Sequence, residues 1–295
     1  MNLQSRRPSY LKLMLELGKF RIAQLVTFST ATGYVLASGN IDLPLLFPVV
    51  GVFFLAMGAG ALNQIQERQR DSLMPRTARR PIPAGHVSLR GAWLVTLLYL
   101  FTGTLILAYF TNPAALVLGW LTVLWYNGVY TYLKRWSALA VVPGSVIGSL
   151  PPMIGWAAAG SNIWDTRAIS IAFFFFIWQI PHFWLLLLNF GQDYEKAGYP
   201  TLTALMSRAQ LGRLTFIWIV ATAAALVMVP LFGVGQSIVT HVLLFAASLG
   251  LVWQSLSLLR TENERFSFYP AFKGINIFIL FAMFVLTLDR LITAG

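Results

Sequence analysis

Three side chains with oxygen donors follow one another at four-residue spacing: Asn63, Glu67 and Asp71. On a continuous helix this spacing places them on one face, within about 12 Å of each other. Hard oxygen donors of this kind suit Mg²⁺, which often bridges one or two carboxylates to the phosphates of a substrate. The spacing therefore predicts a magnesium site for a phosphorylated substrate, and the alternative is a solvated helix end with mixed charges.

Basic residues lie close to this motif in the sequence. Arg76 and Arg80 follow it directly, and the planar guanidinium group of arginine binds phosphate oxygens well. Lys134 and Arg135 end a later apolar run and are predicted beside the same site, with anchoring at the membrane interface as the alternative. We predict that these four cations hold a diphosphate.

A second motif repeats the four-residue spacing, between Asn189 and Asp193. It follows another apolar run, so it predicts a second half-site for metal and diphosphate on the same side of a membrane. The alternative is an ordinary polar loop after a helix end. Together the two motifs give five predicted metal ligands: Asn63, Glu67, Asp71, Asn189 and Asp193.

Unusual residues also lie inside the apolar run before the second motif. Pro181 removes a backbone donor and predicts a kink. His182 is adjacent, and an ionisable residue at this depth is expected to face a cavity or a partner, for example in proton transfer. The alternative is a hydrogen bond to a neighbouring helix. Tyr130 and Trp184 are predicted to line the same cavity, where aromatic faces stabilise a cation.

The composition shows what must position these residues. Hydrophobic residues make up 57% of the 295 positions and charged residues 11%, which predicts a protein of the bilayer. The absence of cysteine excludes disulfides and thiolate metal sites. We predict one all-α, polytopic membrane domain, 1–295, with cytoplasmic active-site loops at about 65–90 and 191–212. The nine predicted transmembrane helices are 20–38, 44–64, 91–111, 114–133, 138–159, 168–190, 213–232, 236–259 and 270–291.

The basic residues also predict an orientation. With the N-terminus in the cytoplasm, all of the 21 Lys and Arg residues except Arg167 and Arg290 fall on the cytoplasmic side, as the positive-inside rule requires. Nine helices then place the C-terminus outside. The positive-inside distribution of the basic residues explains the net charge of +11. Membrane lipid is therefore the expected partner, and nucleic acid is not. The short N-terminus has no Ser/Arg-rich transit segment, which favours a bacterial plasma (inner) membrane.

At this point a resemblance can be stated. The chain resembles the protohaem IX farnesyltransferases, a haem-specific branch of the intramembrane aromatic prenyltransferase superfamily, from about residue 15 to 290. The resemblance is carried by 63–81, 130–135, 143–156 and 178–184, with Asp193, Tyr194, Ala197 and Gly198. Two positions depart from the superfamily pattern: Glu67 stands where Asp is usual, and Gln192 stands where an acid commonly precedes Asp193.

The resemblance implies nine helices around a central, lipid-accessible cavity, with Mg²⁺ and farnesyl diphosphate at its cytoplasmic mouth. It implies that the farnesyl group passes to a vinyl group of haem B, forming haem O, and that a downstream haem-modifying enzyme is a further partner. The implied catalytic residues are Asn63, Glu67, Asp71 and Asp193. The implied diphosphate ligands are Arg76, Arg80, Lys134 and Arg135. The implied contacts to haem are Gln179, His182, Tyr130 and Trp184.

Two other functions stay open on the sequence. A related prenyltransferase that acts on a quinone or chlorophyll precursor would share the diphosphate site and differ only in its acceptor. A secondary transporter belongs to a different class and needs ionisable residues near the middle of the membrane. His182 and His241 are the clear candidates for such positions, whereas the acids gather at one face, which favours an enzyme.

Overall fold

A computed structural model describes residues 8–260 and 267–294. Within these residues the chain is all α-helical and contains no strand, which confirms the predicted fold class. The first seven positions, 261–266 and residue 295 of the predicted domain lie outside the described residues. The α-helices are α1 Tyr10–Leu17, α2 Phe20–Ser38, α3 Leu46–Asp71, α4 Leu89–Phe110, α5 Pro113–Leu124, α6 Thr131–Leu133, α7 Val141–Gly144, α8 Val146–Ala158, α9 Thr166–Lys196, α10 Leu202–Leu205, α11 Arg208–Met228, α12 Ile238–Ser255 and α13 Tyr269–Ala294.

Seven helical segments of the described chain are long and apolar enough to cross a membrane. They are Leu43–Asp71, Leu89–Phe110, Val141–Ala158, Thr166–Lys196, Arg208–Phe232, Ile238–Arg260 and Tyr269–Ala294. Each of the nine predicted helices has a helical counterpart, but α2 and the stretch from α5 to α6 are not among the seven. In that stretch α5 ends after 12 residues and passes into a π-helical turn, Trp125–Tyr130. The count of nine therefore stays a prediction.

The helix ends differ from the predicted boundaries in the two polar regions. The predicted loop 65–90 begins before the helix ends, because α3 continues to Asp71 and buries Glu67 and Asp71. The predicted loop 191–212 is also too long, since α9 continues to Lys196 and Ser207 begins α11 with a capping box formed with Gln210. Both polar motifs lie on helix ends, as their four-residue spacing predicts.

Pro181 does not break α9. It stays inside the helix, and within α9 the residue with non-helical dihedral angles is Phe190, with φ −130° and ψ 15°. The predicted kink at Pro181 therefore does not appear as a backbone break at that residue. The irregular residue instead lies between Asn189 and Asp193, so these two side chains do not keep regular helical spacing.

Close contacts between helix backbones join α2 to α8. A Cβ atom on Gly33 of α2 would overlap the backbone oxygen of Pro152, and one on Gly155 of α8 would overlap that of Thr30. Glycines at such positions let two helices approach backbone to backbone, as is common between membrane helices. This contact joins the N-terminal helices to α8 and thereby to the second half of the chain.

Candidate functional site

The turn between α1 and α2 is fixed to α3 by an amide side chain. Gln64 Nε2 donates to the backbone oxygens of Glu16 at 2.8 Å and Leu17 at 2.9 Å, which satisfies carbonyls at the end of α1. Next in the chain, Lys19 has a left-handed backbone with φ 53°, an uncommon conformation for a residue with a side chain. The conformation begins α2 and directs the Lys19 side chain towards the polar end of α3.

Lys19 contacts the first residue of the three-residue motif. Its Nζ donates to Asn63 Oδ1 at 2.6 Å and to the Tyr126 hydroxyl at 3.1 Å. Burial, followed by the nearby Arg80 guanidinium, lowers the pKa of Lys19 to about 8. The sequence reasoning missed Lys19 as a site residue, because a lysine before an apolar run is typical of membrane topology.

The other two motif residues are also buried and paired with cations. Glu67 is 5% exposed, and its Oε1 lies 2.5 Å from Lys134 Nζ. Asp71 is 1% exposed, and its Oδ2 accepts a hydrogen bond from Arg80 at 2.7 Å. Burying a carboxylate is costly unless it is paired and hydrogen-bonded. Each of the three motif residues is therefore paired with a cation, and the three cations come from three different segments of the chain.

This donor set fits Mg²⁺. One amide oxygen and two carboxylates lie on one face of α3. Each of these three groups contacts a lysine or arginine side chain of the protein. In the described part of the chain, no three His, Cys, Asp or Glu side chains come close enough together to hold a metal ion. Two carboxylates with an amide and substrate phosphates are nevertheless a common set for Mg²⁺, which rarely occupies an all-protein site.

The π-helical turn Trp125–Tyr130 positions the aromatic and basic residues next to α3. Asn127 Nδ2 donates to Gln66 Oε1 at 3.1 Å, and Gln66 Nε2 donates back to the Asn127 backbone oxygen at 3.1 Å. Thr131 Oγ1 accepts from Asn63 Nδ2 at 2.9 Å. Arg135 also joins this contact, since its guanidinium donates to the Gln66 backbone oxygen at 3.1 Å. A π-turn is rare and is often found at functional sites.

The second motif is less enclosed. Asn189 Nδ2 donates to the backbone oxygen of Leu185 in its own helix at 2.8 Å. Asp193 is half-buried, and its carboxylate has no hydrogen bond or ion pair to the residues that the structure describes. The structure nevertheless places both motifs on one side, because the Arg76 guanidinium lies 5.3 Å from the Phe190 ring centre.

Tyr199 makes the most direct contact between the two polar regions. Its hydroxyl donates to Glu67 Oε1 at 2.8 Å, across 132 positions of sequence. Its ring packs with Met74 and Ala197, and the Arg70 guanidinium lies 4.4 Å from the ring centre. The sequence reasoning did not select Tyr199, since no local pattern marks a contact between segments so far apart.

A line of aromatic rings leads from this polar end into the helices. Tyr126 stacks on Tyr130 with centroids 6.1 Å apart, and Tyr130 lies 6.0 Å from Phe183. His182 continues the line, 5.6 Å from Phe183 and 4.9 Å from Trp178. Its Nδ1 is buried without a hydrogen-bond partner among the described residues, which is unusual for a buried polar atom.

The other two predicted acceptor contacts lie on different sides of α9. Gln179 faces α8, where a Cβ on Gly148 would meet Gln179 Oε1 at 2.5 Å. Trp184 is 2% exposed and packs edge to face against Trp218 of α11 with centroids 5.9 Å apart. The structure therefore groups Tyr130 with His182 but places Trp184 in the packing between α9 and α11.

The sequence matches a family model for UbiA prenyltransferases over residues 26–285. It is 31% identical to a protohaem IX farnesyltransferase of Oleidesulfovibrio alaskensis, covering 97% of this chain and 99% of that protein. It is 39% identical to a protohaem IX farnesyltransferase of Geobacter sulfurreducens, covering 72% of this chain and 78% of that protein.

Solved structures share the fold at low sequence identity. A digeranylgeranylglyceryl phosphate synthase structure has a TM-score of 0.77 at 17% identity, covering 95% of this chain and 98% of the other. A UbiA homologue from Archaeoglobus fulgidus, bound to GPP and Mg²⁺, has a TM-score of 0.69 at 17% identity, covering 93% and 99%. From the family match and these relatives, we conclude that the chain belongs to the UbiA prenyltransferase family.

Proposed function

We propose that this protein transfers the farnesyl group of farnesyl diphosphate to a vinyl group of protohaem IX (haem B), forming haem O and releasing diphosphate. The observation that carries the proposal is the buried end of α3. There Asn63, Glu67 and Asp71 are each paired with a lysine or arginine from another segment. A UbiA prenyltransferase needs such a site for a diphosphate, and the names of its relatives supply the acceptor.

The chain's own residues fit the binding of a metal-bound diphosphate. Asn63, Glu67 and Asp71 would hold Mg²⁺, and Asp193 would approach it from α9. Asn189 as a ligand stays a prediction and is left out of this proposed set, because its amide bonds within its own helix. When bound, Mg²⁺ would neutralise charge on the departing diphosphate. Support for this assignment comes from the oxygen donor set and from a solved UbiA homologue described as bound to GPP and Mg²⁺.

Five cations are available to bind the diphosphate oxygens: Lys19, Arg76, Arg80, Lys134 and Arg135. Three of them pair with the motif in this structure, and we propose that they move to the diphosphate when it enters with its metal ion. Positive charge held in place before the reaction stabilises charge that develops on a leaving group. The carbon–oxygen bond at farnesyl C1 then breaks while these residues hold the diphosphate.

The aromatic line would orient the farnesyl chain and the acceptor. The rings of Tyr126, Tyr130 and Phe183 form a continuous aromatic surface, which would stabilise an allylic cation and keep water from it. We propose that His182 contacts the iron or a propionate of haem, because its Nδ1 is buried and unpaired among the described residues. Gln179 would support it from the same helix, and Trp184 as an acceptor contact stays a prediction.

The terminal vinyl carbon of haem forms the new bond to farnesyl C1 once the bond from C1 to the diphosphate oxygen has broken. Water then adds to the cation left on the neighbouring carbon and loses a proton, which gives the hydroxyl group. We further propose that the protein lies in a bacterial plasma membrane, with its N-terminus in the cytoplasm and its C-terminus outside. The support is the predicted nine-helix topology, in which the basic residues except Arg167 and Arg290 fall on one side. A downstream haem-modifying enzyme would accept the product there.

The experiment is a reaction with the purified protein in detergent or lipid nanodiscs. It is incubated with haem B, farnesyl diphosphate and Mg²⁺, and the pigments are identified by mass spectrometry while released diphosphate is measured. We expect haem O. Diphosphate release with prenylation of a quinone precursor but not of haem would support the related prenyltransferase instead. No release of diphosphate with any acceptor would contradict both functions.

A further inference from the structure

We propose that Tyr199 is a positioning residue whose hydroxyl orients the Glu67 carboxylate and fixes the end of α9 against the end of α3. This inference rests on the proposed function, because it concerns the same diphosphate site. It adds a residue outside both polar motifs, contributed by the segment that follows α9.

The hydrogen bond joins two buried side chains. The Tyr199 hydroxyl donates to Glu67 Oε1 at 2.8 Å, and the two residues are 6% and 5% exposed. The tyrosine hydroxyl carries a proton at neutral pH and an ionised carboxylate can only accept, so the hydroxyl is the donor in this bond. A hydrogen bond from a neutral donor to a buried charge contributes more than one between neutral groups.

The bond selects one oxygen of the carboxylate. Lys134 and Tyr199 both contact Glu67 Oε1. Within the described part of the chain, no hydrogen bond reaches Glu67 Oε2, which leaves that oxygen for an incoming cation. A glutamate has one more rotatable bond than an aspartate, so its carboxylate needs more support to hold a single orientation. Tyr199 supplies that support from a second direction.

The backbone presents Tyr199 in a defined place. Gly198 has φ +72°, its N–H bonds to Glu195 O at 2.9 Å, and the Tyr199 N–H bonds to Tyr194 O at 3.0 Å. These two bonds form the Schellman motif, in which a glycine adopts the left-handed conformation just after a helix. The Tyr194 and Tyr199 rings then meet edge to face with centroids 5.8 Å apart, which is the side-chain contact that usually accompanies this motif.

This geometry links Tyr199 to Asp193. Asp193 belongs to the same last turn of α9, because its backbone oxygen accepts from the Ala197 N–H at 3.2 Å. When Tyr199 bonds to Glu67, the Asp193 carboxylate is therefore held at a fixed distance from the motif on α3. The hydroxyl connects the two proposed metal-binding ends without touching the substrate.

The test compares Tyr199→Phe with wild type and with Tyr132→Phe. Phenylalanine keeps the ring and its packing and removes only the hydroxyl. Tyr132 is a matched control, since it is 40% exposed and its ring, like that of Tyr199, lies beside an arginine. Binding of the unreactive analogue farnesyl thiodiphosphate is measured by calorimetry at a series of Mg²⁺ concentrations, with kcat, KM and the melting temperature of the free protein.

We expect Tyr199→Phe to raise the Mg²⁺ concentration for half-maximal analogue binding about tenfold, as loss of a hydrogen bond to a charged group predicts. KM for farnesyl diphosphate should rise with it while kcat changes little, and the melting temperature of the free protein should fall by a few degrees, because a buried hydrogen bond to a charged group is lost. Tyr132→Phe should match wild type. A lower melting temperature with unchanged Mg²⁺ dependence would show that the hydroxyl only stabilises the fold, which overturns the proposal.

A second variant keeps the test informative if Tyr199→Phe is unstable. Glu67→Asp shortens the side chain and withdraws the carboxylate from Tyr199. If the hydroxyl acts through Glu67, adding Tyr199→Phe to Glu67→Asp should cause no further loss, whereas independent effects would add. Additive losses would contradict the proposal. Failure of wild type to bind the analogue with Mg²⁺ would instead contradict the proposed function, so the two failures can be told apart.

Discussion

The ends of α3 and α9 each carry an amide and an acid four residues apart, in different surroundings. At the end of α3, Asn63, Glu67 and Asp71 are no more than 5% exposed, and each is paired with a cation from another segment. At the end of α9, Asp193 is half-buried, and its carboxylate is unpaired among the described residues. The two motifs therefore share their spacing but differ in burial and in pairing with cations.

The difference has a physical consequence. A buried carboxylate stabilises the fold only while its partner is present, so a change at α3 should lower both stability and activity. A carboxylate at a less enclosed helix end has no such partner to lose, so a change at α9 should lower activity alone. A variant at α9 that lowers stability, or one at α3 that does not, would contradict this difference.

The largest effect is expected from Asp71→Asn. The variant removes one charged oxygen donor for Mg²⁺ and leaves the Arg80 guanidinium without its 2.7 Å partner. Formation of haem O should fall roughly a thousandfold, the upper range for loss of one electrostatic contact in a site of this kind. The melting temperature should also fall by several degrees, because a buried ion pair is broken.

Asp165→Asn is the matched control for this prediction. Asp165 and Arg167 form another aspartate–arginine pair, 2.6 Å apart, but their side chains are 21% and 42% exposed and lie at the opposite end of the helices. Exposed pairs contribute about 0–1 kcal/mol, so neither activity nor melting temperature should change appreciably. Equal effects in the two variants would show that the buried end of α3 has no special importance.

Asp193→Asn should lower activity about a hundredfold with an unchanged melting temperature. The carboxylate is proposed to approach the metal-bound diphosphate, where one charged donor contributes strongly to the transition state. Because it has no hydrogen bond among the described residues, its removal breaks no structural contact. Thermal unfolding measured beside the activity assay checks both parts, and a clear loss of stability would mean that α9 resembles α3 after all.

Sequence alone predicted much of the first site. The spacing of Asn63, Glu67 and Asp71 gives their common face as soon as the segment is helical, and α3 does continue to Asp71. Apolar runs likewise predicted the all-α membrane fold. Local patterns of this kind can be predicted from sequence, because helical geometry makes residues three and four apart neighbours whatever the tertiary packing.

The partners of these residues were harder to predict. Lys19 reaches Asn63 only because its own backbone is left-handed and because Gln64 holds the preceding turn. Tyr199 reaches Glu67 from a position 132 residues later. Such contacts depend on how helices pack, which no short window of sequence contains. The non-helical backbone at Phe190 was not predicted either, because Pro181 gives the stronger local signal for a kink.

A smaller effect is expected from Lys19→Met, which keeps the apolar part of the side chain and removes its charge. KM for farnesyl diphosphate should rise about tenfold, as expected for one charged hydrogen bond, and Lys19→Arg should restore most of the affinity. Lys12→Met is the control, because Lys12 is 64% exposed and its ion pair among the described residues is a long one, 3.9 Å from Glu16. An unchanged KM in Lys19→Met would remove Lys19 from the site.

The smallest effect is expected from Asn189→Ala. Its amide nitrogen donates to Leu185 O inside α9, and the non-helical Phe190 separates it from Asp193. Activity should fall no more than about twofold, since the lost hydrogen bond lies within one helix. Asn63→Ala, assayed beside it, should lose far more, because Asn63 contacts both Lys19 and Thr131. Equal losses in the two variants would show that the two helix ends contribute equally to activity. Their different burial and pairing would then have no functional consequence.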